Sequence, residues 1–268
     1  MTGKQEIIHS AIWDEQSELD NPFAAAACYC RGYDVYGELL NKASFVEYLY
    51  LLFAGERPTP TQAQLLERLA IALANPGPRE VSVHAAMCAG VGGSPAAAAL
   101  MAALGVGAGN LGGGHEVRVA MEAWERLGCD LSAWQAFLAD PPQAERADIW
   151  TPMEHAPGVD PHGVRCAMPV LQTLEALRAI GAGPHLPWLA AHRESLEAAA
   201  GAPLALSGVA AAACRDLDLS AEQGEMLYLL LRLPGAAVHA LEQKEYGFRR
   251  FPFFHGAVKY VGPVADNG

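Results

Sequence analysis

Residues Gly105 to Arg118 read GVGAGNLGGGHEVR, with six glycines in the first ten positions. Each glycine inside a helix costs about 1 kcal/mol relative to alanine, so the stretch predicts a tight loop. A backbone or ligand can approach such a loop closely because glycine carries no Cβ. A helix is expected to start near His115 or Glu116, in HEVRVAMEAWERL. Its unpaired N–H groups would point into the loop and favour an anionic guest. The same glycines also suit a helix-helix connection packed closely for shape alone.

Upstream of the loop, no Asp, Glu, Lys or Arg occurs between Val81 and Gly114. His84, Pro95, the glycines and the preponderance of alanine separate this stretch from a membrane span, so two buried helices are predicted, Ser82 to Gly90 and Pro95 to Leu104. Further back, SFVEYLYLLFAGERP has helical spacing from Ser44 and stops at Gly55 and Pro58. The following segment, TQAQLLERLAIALAN, places leucines 65, 66, 69 and 73 on one face, with Thr59 or Thr61 as cap. The first 21 residues are polar apart from Ile7, Ile8, Ile12 and Trp13, which suit an arm lying on a neighbour.

Downstream, helices are expected over residues 115–127, 131–138, 164–180, 188–200 and 207–217. Another runs from Ser220, whose Gln223 completes a capping-box pattern, to Leu233. Leu233-Pro234-Gly235 is read as an interruption before a last helix over residues 236–243. Residues 140–163 carry five prolines together with Glu154, His155, Asp160 and His162, which predicts a long polar loop of the functional kind. Strand patterns are nearly absent. The expected fold class is therefore all-α, with about ten or more closely packed helices.

A chain of 268 residues with 51% hydrophobic content can bury an enzyme-sized core. The net charge of −12 opposes a nucleic-acid or anionic-membrane surface. The six cysteines are scattered rather than set in metal-ligand spacing, which fits a reducing cytoplasm and buried thiols. No metal set is expected: His115-Glu116 does not continue as HExxH. Gly107 to Gly112 matches GxGxxG, but helix formers precede it and no βαβ alternation surrounds it, so a dinucleotide site is not supported.

Five pieces in order resemble the citrate synthase superfamily: Cys30-Arg31-Gly32-Tyr33-Asp34, the SFVEYLYLLFAGERPTPTQ segment, the glycine loop, Val159-Asp160-Pro161, and Arg232 through Glu242. The chain is most similar to the short branch labelled citryl-CoA lyase, over roughly residues 31 to 262. The resemblance implies an all-helical, citrate synthase-like fold with a large and a small domain. It also implies a homodimer and a cleft in which an acyl-CoA thioester meets an oxo-carboxylate. The corresponding organisation is an N-terminal arm over residues 1–30 and large-domain helices with the glycine loop over 31–140. A small-domain region with the polar loop follows over 141–220, then a return to the large domain with the tail over 221–268. No tightly bound cofactor is implied, coenzyme A entering as the thioester of the substrate.

In that family a carboxylate base removes the proton beside the thioester, one histidine stabilises the enolate and a second polarises the ketone. The first histidine belongs to a G-x-x-H-G-G loop, where this chain has Gly112, with His115 three residues later. The second precedes V-D-P-R, where this chain has Glu154, or His155 with a shift of one residue, and His162 in place of the arginine. The base belongs to N-x-D-G, where the nearest match gives Ser207. Arg165 fits a basic position, and Arg232 matches a carboxylate-binding arginine. In the basic tail, Arg249 or Arg250 is placed to meet the phosphates of coenzyme A. Two readings follow. In one, the cleft works with a relocated set, Glu154 as base, His115 or His155 as proton donor, and Arg232 and Arg165 as anion clamps. In the other, the chain is a non-catalytic homologue that binds a ligand or a catalytic partner.

Overall fold

The computed structural model describes residues 8–141 and 153–252. Ile7, residues 142–152 of the polar loop and the tail beyond residue 252 lie outside the described residues. Among the described residues the chain is all-α apart from a small sheet near its start. Strands β1 (Asp14–Ser17), β2 (Ala25–Cys30) and β3 (Tyr33–Asp34) pair antiparallel in that order. The sequence shows almost no strand pattern here. In β2 the side chains alternate, so that Cys28 and Cys30 are buried and flank a half-buried Tyr29. All six cysteines are free thiols, and Cys88 and Cys129 are exposed rather than buried.

The chain divides into two compact units, one comprising residues up to Ala74 and Ala108 to Arg232, the other Asn75 to Gly107 and the chain from Leu233. The domain boundaries drawn on the sequence at residues 140 and 220 both fall inside the first unit.

A π-helical turn (Val35–Leu39) runs into α1 (Leu40–Lys42) and is followed by α2 (Phe45–Ala54), α3 (Pro60–Leu73), α6 (Gly114–Leu127) and α7 (Leu131–Ala139) in the first unit, α4 (Val81–Val91) and α5 (Ala96–Gly107) lying in the second. The first unit continues with α8 (Met168–Arg178), α9 (His185–Ala200) and α10 (Leu206–Asp216), and both units share α11 (Ala221–Tyr246). Local chemistry sets the starts. Ser44 and Glu47 form a reciprocal capping box on α2, and Thr59 and Gln62 form one on α3 with Pro60 in the first turn. Ser220 and Gln223 exchange the same pair of bonds ahead of α11.

The core of the first unit gathers Leu65, Leu66, Leu69 and Leu73 of α3, Val117, Met121 and Trp124 of α6, and almost the whole of α10. From Ser207 to Cys214 every residue of α10 is buried. Its run of four alanines, Ala210 to Ala213, keeps the helix slim where it packs against α6 and α9. The second unit has its own core of Val83, Ala86, Met87, Ala99, Ala103, Ala236, Ala240 and Phe251.

Several boundaries differ from expectation. Helix α5 continues through Gly105 and Gly107, so the glycine loop proper shrinks to residues 108–113. The run Ala96–Ala99 nucleates the helix, and adding a residue to a formed helix is far easier than starting one, so two glycines in the last turns are tolerated. Helix α11 is unbroken through Pro234 and Gly235. Leu227 and Leu231 before the proline and Ala236 and Ala240 after it are buried in the cores of the first and second unit respectively, and this burial outweighs the single backbone bond that Pro234 removes. Helix α8 begins at Met168 instead of residue 164, with Pro169 in its first turn, and α9 begins at His185 instead of residue 188.

Candidate functional site

Three segments of the first unit converge on the carboxylate of Glu116. Its position follows from the loop: Gly113 caps α6 without a side chain, leaving the first N–H groups to be met from elsewhere. Glu116 stands third in the helix and turns its carboxylate back, so that Oε2 accepts the Gly112 N–H. The bond is akin to the return half of a capping box, but it reaches Gly112, one residue before the cap Gly113. The other oxygen, Oε1, accepts the Gly158 N–H at 2.8 Å and the Ser207 hydroxyl at 2.7 Å. The Gly158 segment is fixed by pairing with the chain before α10: Ala205 N–H donates to Gly158 O at 3.0 Å, and Asp160 N–H to Pro203 O at 2.8 Å.

Glu116 is 0% exposed and Ser207 2%. Burial raises the proton affinity of the Glu116 carboxyl above the usual carboxylate range. The bonds from Ser207, Gly112 and Gly158 pull it back in part, as does the nearby charge of His155. His155 is half-buried, and its Nδ1 lies 2.8 Å from Ala156 O. A carbonyl only accepts, so Nδ1 carries the hydrogen and Nε2 is the basic nitrogen of the neutral ring.

The Gly112 peptide is held from its other side too. Its carbonyl accepts from Tyr228 Oη and from Arg232 Nη1, both at 2.9 Å, and the Arg232 guanidinium lies 4.8 Å from the centre of the Tyr228 ring. Arg232 is 5% exposed. Gly112, at φ +63°, takes a backbone conformation suited to glycine. One peptide therefore links the buried carboxylate to the buried arginine.

Of the residues singled out on the sequence, Gly112, Ser207, Arg232 and His155 meet around Glu116. His115 is half-buried in the same turn of α6, its N–H bonded to Ala108 O at 3.3 Å. Glu154 is exposed, as is His162, whose backbone N–H donates to Asp160 Oδ1 at 3.0 Å. Arg165 is exposed on an open groove with Val164, Met168 and Leu171. Arg249 and Arg250 are exposed in a 3-10 turn (Phe248–Arg250) of the second unit. Sequence reasoning passed over Glu116, Gly158 and Tyr228. The one local signal was an acidic residue third in a helix that follows glycines.

Among the described residues no group of three or more His, Cys, Asp or Glu side chains is placed to hold a metal ion. Among the same residues no helix is long and apolar enough to cross a membrane.

No protein-family model matches the sequence, and no curated protein matches it. Solved structures do match. The chain superposes on citryl-CoA lyase from Hydrogenobacter thermophilus with a TM-score of 0.74 at 18% identity, over 97% of this chain and 96% of that one. The fold is citrate synthase-like. ATP citrate lyase from Methanothrix soehngenii, solved with citrate and coenzyme A, gives the same TM-score and identity over 98% of this chain and 43% of that chain. Citrate synthase from Thermoplasma acidophilum, solved with carboxymethyl coenzyme A and oxaloacetate, gives 0.55 at 14% identity, over 84% of this chain and 60% of that one.

Proposed function

We propose that the chain acts on an acyl-CoA thioester and an oxo- or hydroxy-carboxylate, making or breaking the carbon-carbon bond beside the thioester, with Glu116 as base. The contact of Ser207 Oγ with Glu116 Oε1 at 2.7 Å is the observation that carries this reading. The family resemblance puts the catalytic carboxylate at residue 207, where this chain has a serine. A carboxylate from a different helix is seated on that serine. Burial raises its proton affinity, the direction a base needs in order to take a proton near neutral pH.

In the condensing direction Glu116 takes the proton from the carbon beside the thioester. The electron pair released attacks the ketone carbon, and the ketone oxygen takes the Nε2 proton of His155 in its imidazolium form, Nδ1 staying bonded to Ala156 O. Cleavage runs the same steps backward. Arg232 supplies positive charge beside the Gly112 peptide, which favours anionic substrates and the developing oxyanion. In this assignment Glu116 takes the role given to Glu154 on the sequence. Arg165 and the tail arginines Arg249 and Arg250 stay as candidate contacts for carboxylate and phosphate groups.

One observation favours a second reading. Glu116 is wholly buried and its oxygens already accept three hydrogen bonds, which suits a group that ties three chain segments together in a homologue that binds without turning over. Solvent-deuterium exchange separates the two. The protein is incubated in heavy water with acetyl-CoA and longer acyl-CoA thioesters, with and without oxo-acids, and label beside the thioester is read by mass spectrometry. Exchange that vanishes in Glu116→Gln supports the base. No exchange with any thioester, together with binding retained in isothermal titration, supports the second reading.

A further inference from the structure

We propose that Tyr228 is a positioning residue for Glu116: its hydroxyl pins Gly112 so that the Gly112 N–H stays aimed at the carboxylate. The linkage stands on geometry, and only its effect on the reaction rests on the reading of Glu116 as base. Tyr228 is 3% exposed on α11, and Arg232 follows four residues later on the same face. Both donate to Gly112 O at 2.9 Å, which fills the two lone pairs of that carbonyl. The Arg232 guanidinium lies 4.8 Å from the centre of the Tyr228 ring, so the ring also orients the second donor. Leu229, in the same turn, stands so near Gly114 that an added Cβ there would meet it at 3.0 Å. This turn of α11 therefore bears directly on the junction between the glycine loop and α6.

The carbonyl and the N–H of Gly112 are separated by a single Cα, so anchoring the one limits the arc through which the other can swing. Among the described residues Glu116 Oε2 accepts from the Gly112 N–H alone. That bond opposes the effect of burial on Glu116, so without it the carboxyl should hold its proton to higher pH. The titratable groups about Glu116 are His155, whose charge acts on it, and His115 beside it on α6; Arg232 stands behind Gly112. Tyr228→Phe leaves all three, and the ring under Arg232, in place. A change in the ionisation of Glu116 then comes from the hydroxyl.

The test follows the carboxyl stretch of Glu116, identified by its absence in Glu116→Gln, by infrared spectroscopy against pH. Exchange of the Gly112 amide is read by NMR. In Tyr228→Phe the acid ionisation constant of Glu116 should fall about threefold to tenfold, and the Gly112 amide should exchange about tenfold faster. Arg232→Lys keeps the charge but loses the planar fork, and it should shift both readings the same way, which serves if Tyr228→Phe does not fold. A folded Tyr228→Phe, or in its absence a folded Arg232→Lys, with the ionisation of Glu116 unchanged overturns the proposal. Deuterium exchange of acetyl-CoA is then measured against pH in the native protein and the variant. A rate profile that moves to higher pH with the infrared midpoint supports both the positioning and the base. An infrared shift without any acetyl-CoA exchange in the native protein keeps the role of Tyr228 and removes that of Glu116 as base toward this thioester.

Discussion

Ser207 donates its hydroxyl to Glu116 Oε1 at 2.7 Å across 91 residues of sequence. The bond joins α10 to the first turn of α6 inside the core, with both residues buried. Two consequences follow: the ionisation of Glu116 is coupled to folding, and residues 116 and 207 behave as one unit.

The coupling fixes a pH dependence. The proton affinity of Glu116 is raised in the folded chain, whereas in the unfolded chain it titrates at about 4.3. Between that value and the raised one, the native state holds a proton that the unfolded state has lost. Stability therefore falls as pH climbs through this window. Glu116→Gln lacks this dependence, but its amide sets an N–H against the Gly112 N–H, at a cost of about 1–3 kcal/mol. Urea unfolding from pH 4 to 8 should show the variant gaining on the native protein as pH rises. Parallel curves would mean that Glu116 does not titrate with folding.

Residues 116 and 207 should also exchange roles. Ser207→Asp places a second carboxylate against Glu116 in the core and should destabilise the protein by about 3 kcal/mol or more at neutral pH. Adding Glu116→Gln to it supplies an amide donor for the new carboxylate. The double variant should recover more than half of the loss, a coupling of about 1–3 kcal/mol in a double-mutant cycle. Strictly additive unfolding energies would show that the two positions do not touch.

Glycines in this chain divide by what surrounds them. Gly208→Ala drives a methyl group to 2.5 Å from Gly158 O, and that carbonyl cannot retreat because it accepts the Ala205 N–H. A loss of about 1–3 kcal/mol is expected in chemical denaturation. Gly105 lies within α5 with nothing inside 4 Å of an added Cβ, so Gly105→Ala should stabilise by about 0.5–1 kcal/mol. A destabilised Gly105→Ala would contradict the helical assignment there.

These residues also show what the sequence could and could not reveal. The caps at Thr59 and Ser220 were legible because each closes on a partner three residues away, whereas the capping box of Ser44 with Glu47, at the same spacing, was passed over. The all-α class was legible for the same reason, helical periodicity being local. Strand β1 was not, since all four of its residues are exposed and its partner is chosen by backbone pairing rather than by alternation. Pro234 misled because its cost is local while the burial that overrides it comes from other helices. Ser207, Gly112 and Arg232 were placed by the resemblance. Glu116 was passed over because two of its donors come from 42 and 91 residues away, a separation that no spacing rule encodes.

A second buried carboxylate, Asp216, should prove as costly to remove. It lies in the last turn of α10, where it opposes the dipole of its own helix, and it is tolerated because it meets the positive end of α9. Its Oδ1 accepts the His185 N–H at 2.8 Å and its Oδ2 the Leu186 N–H at 2.9 Å, at a helix start whose Pro184 makes no side-chain cap bond. His185 Nδ1 also lies 2.8 Å from Oδ1, and the ring stands edge-on to Trp124 at 5.1 Å. Asp216→Ala strands these donors in the core and should cost about 2–5 kcal/mol in urea unfolding. Asp216→Asn keeps one acceptor oxygen and should cost less. Because His185 packs on Trp124, tryptophan emission of the folded alanine variant should change as well. An alanine variant within about 0.5 kcal/mol of the native protein, with unchanged emission, would show that α9 is capped by other means.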